Sequence, residues 1–238
     1  MSQVILSDSG KETLVRSAED VRSRFSYLEI VKKTDNLPLD YKLNKNFVNY
    51  NITLYSHDDS FIIGYMTVST YKKIKSHGAL DATFEALFEA LKIDQLTGQK
   101  YLTLKTLSSH ENYSILFENF ANTARESQIF ECTKGWRNEN YTIYDNNKKP
   151  YIKLERAMVT IFGILTFGVH INGYFFDNEN KLRMWIPRRS AKKPTWPLKL
   201  DNVVAGGIGN DDSVETTLWK ELKEEANLEK KDIEHNVH

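Results

Sequence analysis

Glu221, Glu224 and Glu225 are the residues of this 238-residue chain whose types and spacing could do chemistry. They stand at i, i+3 and i+4 in a segment where Val214, Leu218, Leu222 and Ala226 recur every four residues. That period predicts a helix over about 214–226 with those four apolar residues on its buried stripe. At roughly 100° per residue the three glutamates share an arc of about 100°, so their carboxylates can converge. Convergence of like charges costs free energy unless a cation fills the gap, and hard oxygen donors suit Mg²⁺ or Mn²⁺. A diphosphate needs that chemistry, because a metal neutralises phosphate oxygens and lowers the pKa of a bound water. A spare carboxylate can then accept the water's proton. Lys-Glu-Leu-Lys-Glu-Glu is also a common solvated run, stabilised by i,i+4 Glu–Lys pairs. The order of the neighbouring features separates the two readings.

Those features lie immediately before the helix. Asn202-Val203-Val204-Ala205-Gly206-Gly207-Ile208-Gly209 reads as a short apolar strand entering a glycine-rich loop. Gly206 and Gly207 let backbone approach the acidic face without a Cβ in the way. Asp212 follows, and its alternative role is as a helix cap, with Glu215 completing a capping box. From Lys181 to Lys199 there are seven basic residues and no acidic one. Arg188, Arg189 and Lys193 are the expected contacts to substrate phosphates, arginine being able to bind phosphate through two parallel hydrogen bonds. A solvated basic surface is the competing explanation for each of them.

Further back, Phe61–Ser69 reads as a buried strand, and Leu80, Phe84, Leu87, Phe88 and Leu91 predict an amphipathic helix near 80–92. Tyr101–Leu104 and Tyr141–Tyr144 are strand candidates. A second helix is expected near 110–127, with Leu116, Phe117, Phe120 and Ala124 facing inward. Residues 1–20 are polar and expected to be poorly ordered. Asp145-Asn146-Asn147-Lys148-Lys149-Pro150 is a polar, proline-terminated break, which divides an N-terminal α/β domain (21–145) from a second domain (151–238). In the latter, an apolar β-rich stretch from Ile164 to Phe176, a turn at Asp177–Asn180 and a return strand at Leu182–Pro187 predict a hairpin. The fold class expected is α+β.

Composition narrows the function classes. Lys plus Arg equals Asp plus Glu at 32 each, so no global charge draws the chain to nucleic acid or to an anionic membrane. The 40% hydrophobic and 12% aromatic content suffices for a core. No run approaches the roughly 18 apolar residues of a membrane span. The single cysteine, Cys132, excludes an internal disulfide and a cysteine-based zinc site and fits a cytoplasmic protein. His170, in an alternating β stretch, reads as a core histidine, and Trp196 as either a packed loop aromatic or a stacking surface. Oligomeric state is not encoded in any pattern seen.

The segment from Gly206 to Leu228 resembles the Nudix box, G-x5-E-x7-R-E-U-x-E-E-x-G-U with U apolar. Gly206, Glu221, Leu222, Glu224, Glu225 and Leu228 match, while Asp212, Lys220 and Asn227 stand where glutamate, arginine and glycine are usual. Trp185-x-Pro187-Arg188-Arg189-Ser190, Thr195-Trp196-Pro197 and Leu200-Asp201-Asn202 are similar to the Nudix branch related to thiamin pyrophosphokinase. So are Glu155-Arg156-Ala157, Gly168-Val169-His170, Asn172-Gly173-Tyr174 and, before the break, Gly135-Trp136-Arg137-Asn138-Glu139. Leu198 stands where that branch usually has glycine, which bears on the geometry of its loop.

The resemblance implies a mixed-sheet α/β/α sandwich in the second domain. It also implies Mg²⁺- or Mn²⁺-dependent hydrolysis of a small-molecule diphosphate, in particular oxidised or damaged thiamine diphosphate. Glu224 and Glu225 would then ligate the metal, Glu221 would be a ligand or general base, and the Ala205 carbonyl could add a ligand. Gly206, Gly207 and Asp212 would support the loop, and Lys220 would orient a carboxylate. The alternatives are an oxidised purine nucleoside diphosphate as substrate, or an inactive member that only binds. The box stands ten residues from the end of the chain, so the Nudix sandwich is expected to be incomplete.

Overall fold

A computed structural model describes residues 3–6, 12–15, 18, 28, 31–32, 40–193 and 195–237. The chain divides into two compact units, Met1–Phe47 and Val48–His238. In the first, β1 (Gln3–Leu6) pairs antiparallel with β2 (Glu12–Val15). The expected disorder of residues 1–20 otherwise lies outside the described residues, apart from Ala18. Helix α1 spans Lys45–Tyr50.

The second unit is built on a mixed four-stranded sheet, which makes the fold α+β. Its strands are β3 (Asn51–Tyr55), β4 (Ile62–Thr67), β5 (Lys92–Ile93) and β6 (Lys100–Thr103), in the order β4-β3-β6-β5. β3 runs antiparallel to β4 and parallel to β6. The apolar run that begins at Phe61 stops being strand at Thr67, whose hydroxyl accepts from the Thr70 N–H at 3.0 Å and caps α2 (Val68–Lys75).

Helix α3 (Gly78–Leu87) buries Leu80, Phe84 and Leu87, the helical repeat read from the sequence. It stops at Leu87 rather than near 92. Phe88 turns extended and bridges to Leu104, and the Lys105 N–H donates to the Leu87 carbonyl at 2.9 Å. The hydrophobic repeat continues across that change because a sheet edge buries Phe88 as well as a helix would. Helix α4 (His110–Ser127) matches the predicted span and buries Tyr113, Phe117, Phe120, Ala121 and Ala124.

β7 (Asn140–Tyr144) and β8 (Pro150–Glu155) form an antiparallel hairpin whose second strand packs on α4. The polar stretch 145–149, expected to separate two domains, is the turn of this hairpin. The Asp145 carboxylate accepts from the Asn147 and Lys149 N–H groups at 2.8 Å each, and Lys148 is left-handed. Tight turns and linkers draw on the same residues, so composition alone does not separate them. α5 (Val159–Phe162) docks on β4 and ends at left-handed Gly163, where a Cβ would run into the Tyr65 carbonyl oxygen. Phe162 is fully buried, its ring edge-on to Phe117 at 5.1 Å and tilted edge-on to Phe120 at 5.3 Å.

Beyond Gly163 the strands pair two by two. β9 (Gly168–Ile171) lies antiparallel to β12 (Val204–Gly207), and β10 (Tyr174–Phe176) to β11 (Leu182–Met184). The predicted hairpin and its turn at Asp177–Asn180 are present, but Ile164–Phe176 is two strands separated by Asn172-Gly173. All three residues of β10 and all three of β11 are exposed. The chain then forms α6 (Val214–Ala226) and the single turn α7 (Lys230–Ile233). Among the described residues no helix is long and apolar enough to cross a membrane.

Candidate active site

α6 spans the residues the periodicity assigned to it. Its cap is Ser213, not Asp212: the Ser213 hydroxyl accepts from the Thr216 N–H at 3.0 Å, and the Thr216 hydroxyl accepts from the Ser213 N–H at 2.7 Å. The capping box therefore starts one residue later than expected and uses Thr216 instead of Glu215. Asn227, where the box usually has glycine, ends the helix in the left-handed conformation at φ 53°. Asparagine tolerates that conformation, so the substitution keeps the helix stop. The buried side of α6 is Thr217 and Leu222, while Val214 is exposed. The four-residue stripe is thus rotated, because the helix lies on the two-stranded β9–β12 pair and only its middle is covered.

That packing positions the acids. The Glu221 carboxylate sits directly over Gly206, and any Cβ there would overlap its atoms. Glycine at 206 is therefore required by a close approach between β12 and α6. Glu225 lies one turn on, and its Oε2 accepts from the Ala205 N–H at 3.4 Å. Two of the three glutamates thus meet consecutive residues of β12. Glu224 is exposed. Burial first, then the charges of Glu225 and Glu224, push the Glu221 carboxyl above its usual range, against the pull of Lys220 and Arg156.

Several basic residues reach this face. Lys193 Nζ lies 3.7 Å from Glu225 Oε1, so the loop carrying the basic run comes to the acidic helix. Lys220 Nζ lies 3.7 Å from Asp212 Oδ2 and ties the helix to the glycine-rich loop. Arg189 is differently employed: Nη1 donates to Asp201 Oδ2 at 2.5 Å, and Nε and Nη2 to the Thr195 carbonyl at 3.3 and 3.0 Å. Arg188 Nη1 donates to the Leu198 carbonyl at 2.9 Å. Lys193 thus meets the acidic face, whereas these arginine nitrogens hold their own loop closed. Trp196 is 73% exposed, and His170 is on the surface with Nδ1 3.0 Å from Asn202 Oδ1, not in the core.

Other groups at the site have no chemical motif in the sequence. The Tyr141 hydroxyl lies against Gly207. Arg156 sits 5.5 Å over the Tyr141 ring and pairs with Glu139 at 2.7 Å. Its charge also acts on Glu221. Thr217 is buried with its hydroxyl unpartnered among the described residues. Glu139 and Arg156 were visible only as parts of the resemblance; the hairpin β7–β8 brings Tyr141 to Gly207, and Glu139, just before it, lies beside Gly209.

The donor chemistry is that of a hard divalent cation, three carboxylates on one helix, with Glu221 half-buried over Gly206 and Glu224 and Glu225 exposed. Among the described residues no three histidine, cysteine or acidic side chains are gathered into one metal-holding group. Glu225 is turned toward Lys193 and the Ala205 N–H.

Residues 59–166 match a family described as a domain of unknown function, DUF4743. An uncharacterised protein of Saccharomyces cerevisiae is 38% identical over 232 residues, which is 97% of this chain and 65% of that protein. Nudix hydrolase 24, chloroplastic, of Arabidopsis thaliana is 39% identical over 97 residues, covering 40% of this chain and 26% of the plant protein. Nudix hydrolase 20, chloroplastic, of the same plant is 43% identical over 95 residues, covering 40% and 25%. The chain thus spans about two thirds of the yeast relative and a quarter of each plant one. It carries a DUF4743 segment and a Nudix-related region.

Proposed function

We propose that this chain acts as a Nudix-type diphosphohydrolase, converting oxidised or damaged thiamine diphosphate to the monophosphate and phosphate with Mg²⁺ or Mn²⁺. The observation that carries the reading is the seating of Glu221 on Gly206 with Glu225 at the Ala205 N–H, which puts two acids of α6 against the glycine strand. Similarity to the plant Nudix hydrolases supports the reaction class. The thiamine assignment rests on the motifs around Glu155–Tyr174 and Trp185–Ile208. A cytoplasmic location rests on the single cysteine.

Glu221, Glu224, Glu225 and the Ala205 backbone would hold the cation. When bound, it supplies neutralisation of the diphosphate and a more acidic water. Glu221, seated over Gly206, would serve either as a ligand or as the general base that takes a proton from water. As the water oxygen bonds to phosphorus, the bridging P–O bond breaks and its electrons leave with the second phosphate. Lys193, whose Nζ lies 3.7 Å from Glu225 Oε1, would meet phosphate charge. Arg188 would be a second contact to phosphate charge, and Arg189 keeps the loop in shape by its bonds to Asp201 and Thr195.

The test is phosphate release from oxidised thiamine diphosphate with and without Mg²⁺, for this chain and for Glu225→Gln. Metal-dependent turnover that falls about a hundredfold or more in the variant is expected. Equal turnover in the variant would sink the assignment. Faster hydrolysis of an oxidised purine nucleoside diphosphate in the same assay would replace the substrate class.

A further inference from the structure

A cleft of about 640 Å³ opens between α4 and the hairpin β7–β8, away from the acidic helix. That volume lies in the range of small-molecule sites, roughly 300–1,000 Å³. Glu155, at the end of β8, lines it and is only 6% exposed. Its Oε1 accepts from the Arg137 and Ala157 N–H groups at 3.2 Å each. Its Oε2 has no donor among the described residues. A donor arriving through the cleft would meet a carboxylate that two backbone N–H groups already hold in place.

Three carboxylates, Glu111, Glu118 and Glu155, line the cleft against two permanent cations, Arg125 and Lys153. Both basic groups of the lining are engaged: Arg125 lies over the Trp136 ring at 4.6 Å, and Lys153 reaches Asp211 at 3.8 Å. Glu111 and Glu118 also line the cleft and have no ion pair among the described residues. One wall is aromatic, with His110 edge-on to buried Tyr151 at 4.6 Å. A planar cation would find a carboxylate acceptor, two flanking negative charges and π-faces together.

We propose that this cleft binds a small nitrogenous organic cation, an amidinium, guanidinium or protonated aminoheterocycle, anchored by Glu155 Oε2. The assignment does not depend on hydrolase activity at α6. The volume of the cleft is that of a small-molecule site, which favours a free small molecule over an extended peptide.

The probe is benzamidinium, titrated into the ¹⁵N-labelled full chain and followed by NMR. Saturable shifts are expected at the Arg137 and Ala157 amides and the Trp136 indole N–H. Glu155→Gln keeps an acceptor for the two backbone donors but places a donor where the cation should bind, so affinity should fall at least about tenfold. Glu118→Gln, at the exposed rim, should lower it about two- to threefold, and this variant carries the test if Glu155→Gln does not fold. No saturable local shift in the wild-type chain overturns the proposal, as does unchanged affinity in both variants. If the tripeptide Gly-Arg-Gly binds about tenfold more tightly than benzamidinium, the occupant is a peptide and the small-molecule class falls.

Discussion

The stretch from Val48 to Phe162 and the stretch from Ile164 to Leu200 are both rich in large apolar residues, yet they fold differently. In the first, Phe84, Phe117, Phe120 and Phe162 are at most 2% exposed and meet one another ring to ring. In the second, Tyr174, Phe176, Trp185 and Trp196 are 53%, 59%, 61% and 73% exposed. The difference lies in what packs on the strands. Helices α2, α3 and α4 alternate with the strands of the first stretch and supply a covering layer. Among the described residues no helix lies between Gly163 and Ser213, so the β10–β11 hairpin has neither face covered. Polar clamps hold that second stretch in place of packing, notably Arg189–Asp201 and Arg183–Asp177. An aromatic residue reports the capacity to be buried; only a neighbouring element buries it.

The largest expected effect tests this contrast directly. Phe162→Ala should cost about 3–5 kcal/mol in urea unfolding, whereas Trp185→Ala should stay within about 0.5 kcal/mol. Comparable losses from the two would mean the hairpin is covered in solution. Next comes the close approach of α6 to β12. Gly206→Ala drives a methyl group into Glu221 and should cost about 1–3 kcal/mol by the same measurement. An unperturbed Gly206→Ala protein would show that α6 is free to shift off β12.

Leu198 is left-handed at φ 60°, an unfavourable conformation for a residue with a Cβ. Leu198→Gly should therefore raise the midpoint of thermal unfolding, by an amount equivalent to at most about 1 kcal/mol after glycine's own entropy is counted. A lowered midpoint would mean the Leu198 side chain packs on something.

The smallest effect concerns acid. A hydrogen bond from Arg189 holds the Asp201 carboxyl below its usual range, so the folded pKa is depressed. Its stabilising contribution is present above the unfolded value, near 3.9, and is lost as pH falls through the folded value. Arg189→Gln should therefore be less stable than wild type at pH 6, with the gap narrowing as pH falls below about 4. A gap that does not change with pH would assign Arg189 a packing role instead.

Much of the site was legible because it is local. The spacing of Glu221, Glu224 and Glu225, the extent of α6 and the glycines before it are all set within a few turns of chain. The cap moved from Asp212 to Ser213 because both residues can cap and only the backbone path chooses between them. The fate of the basic run was not legible. Arg189 and Lys193 are four residues apart, yet one closes the loop on Asp201 and the other reaches Glu225. The stretch 145–149 reads the same as a linker or as a hairpin turn until the pairing of β7 with β8 is known.

By itself, then, the sequence determined the periodic elements, the acidic helix and the need for a glycine beside it. Periodicity and close approach are properties of neighbouring residues. Tertiary structure decided which apolar faces are covered, which cations meet carboxylates, and that Tyr141 and Arg156 stand beside Gly207 and Glu221. Those outcomes depend on contacts between residues far apart in the chain, and no local spacing encodes them.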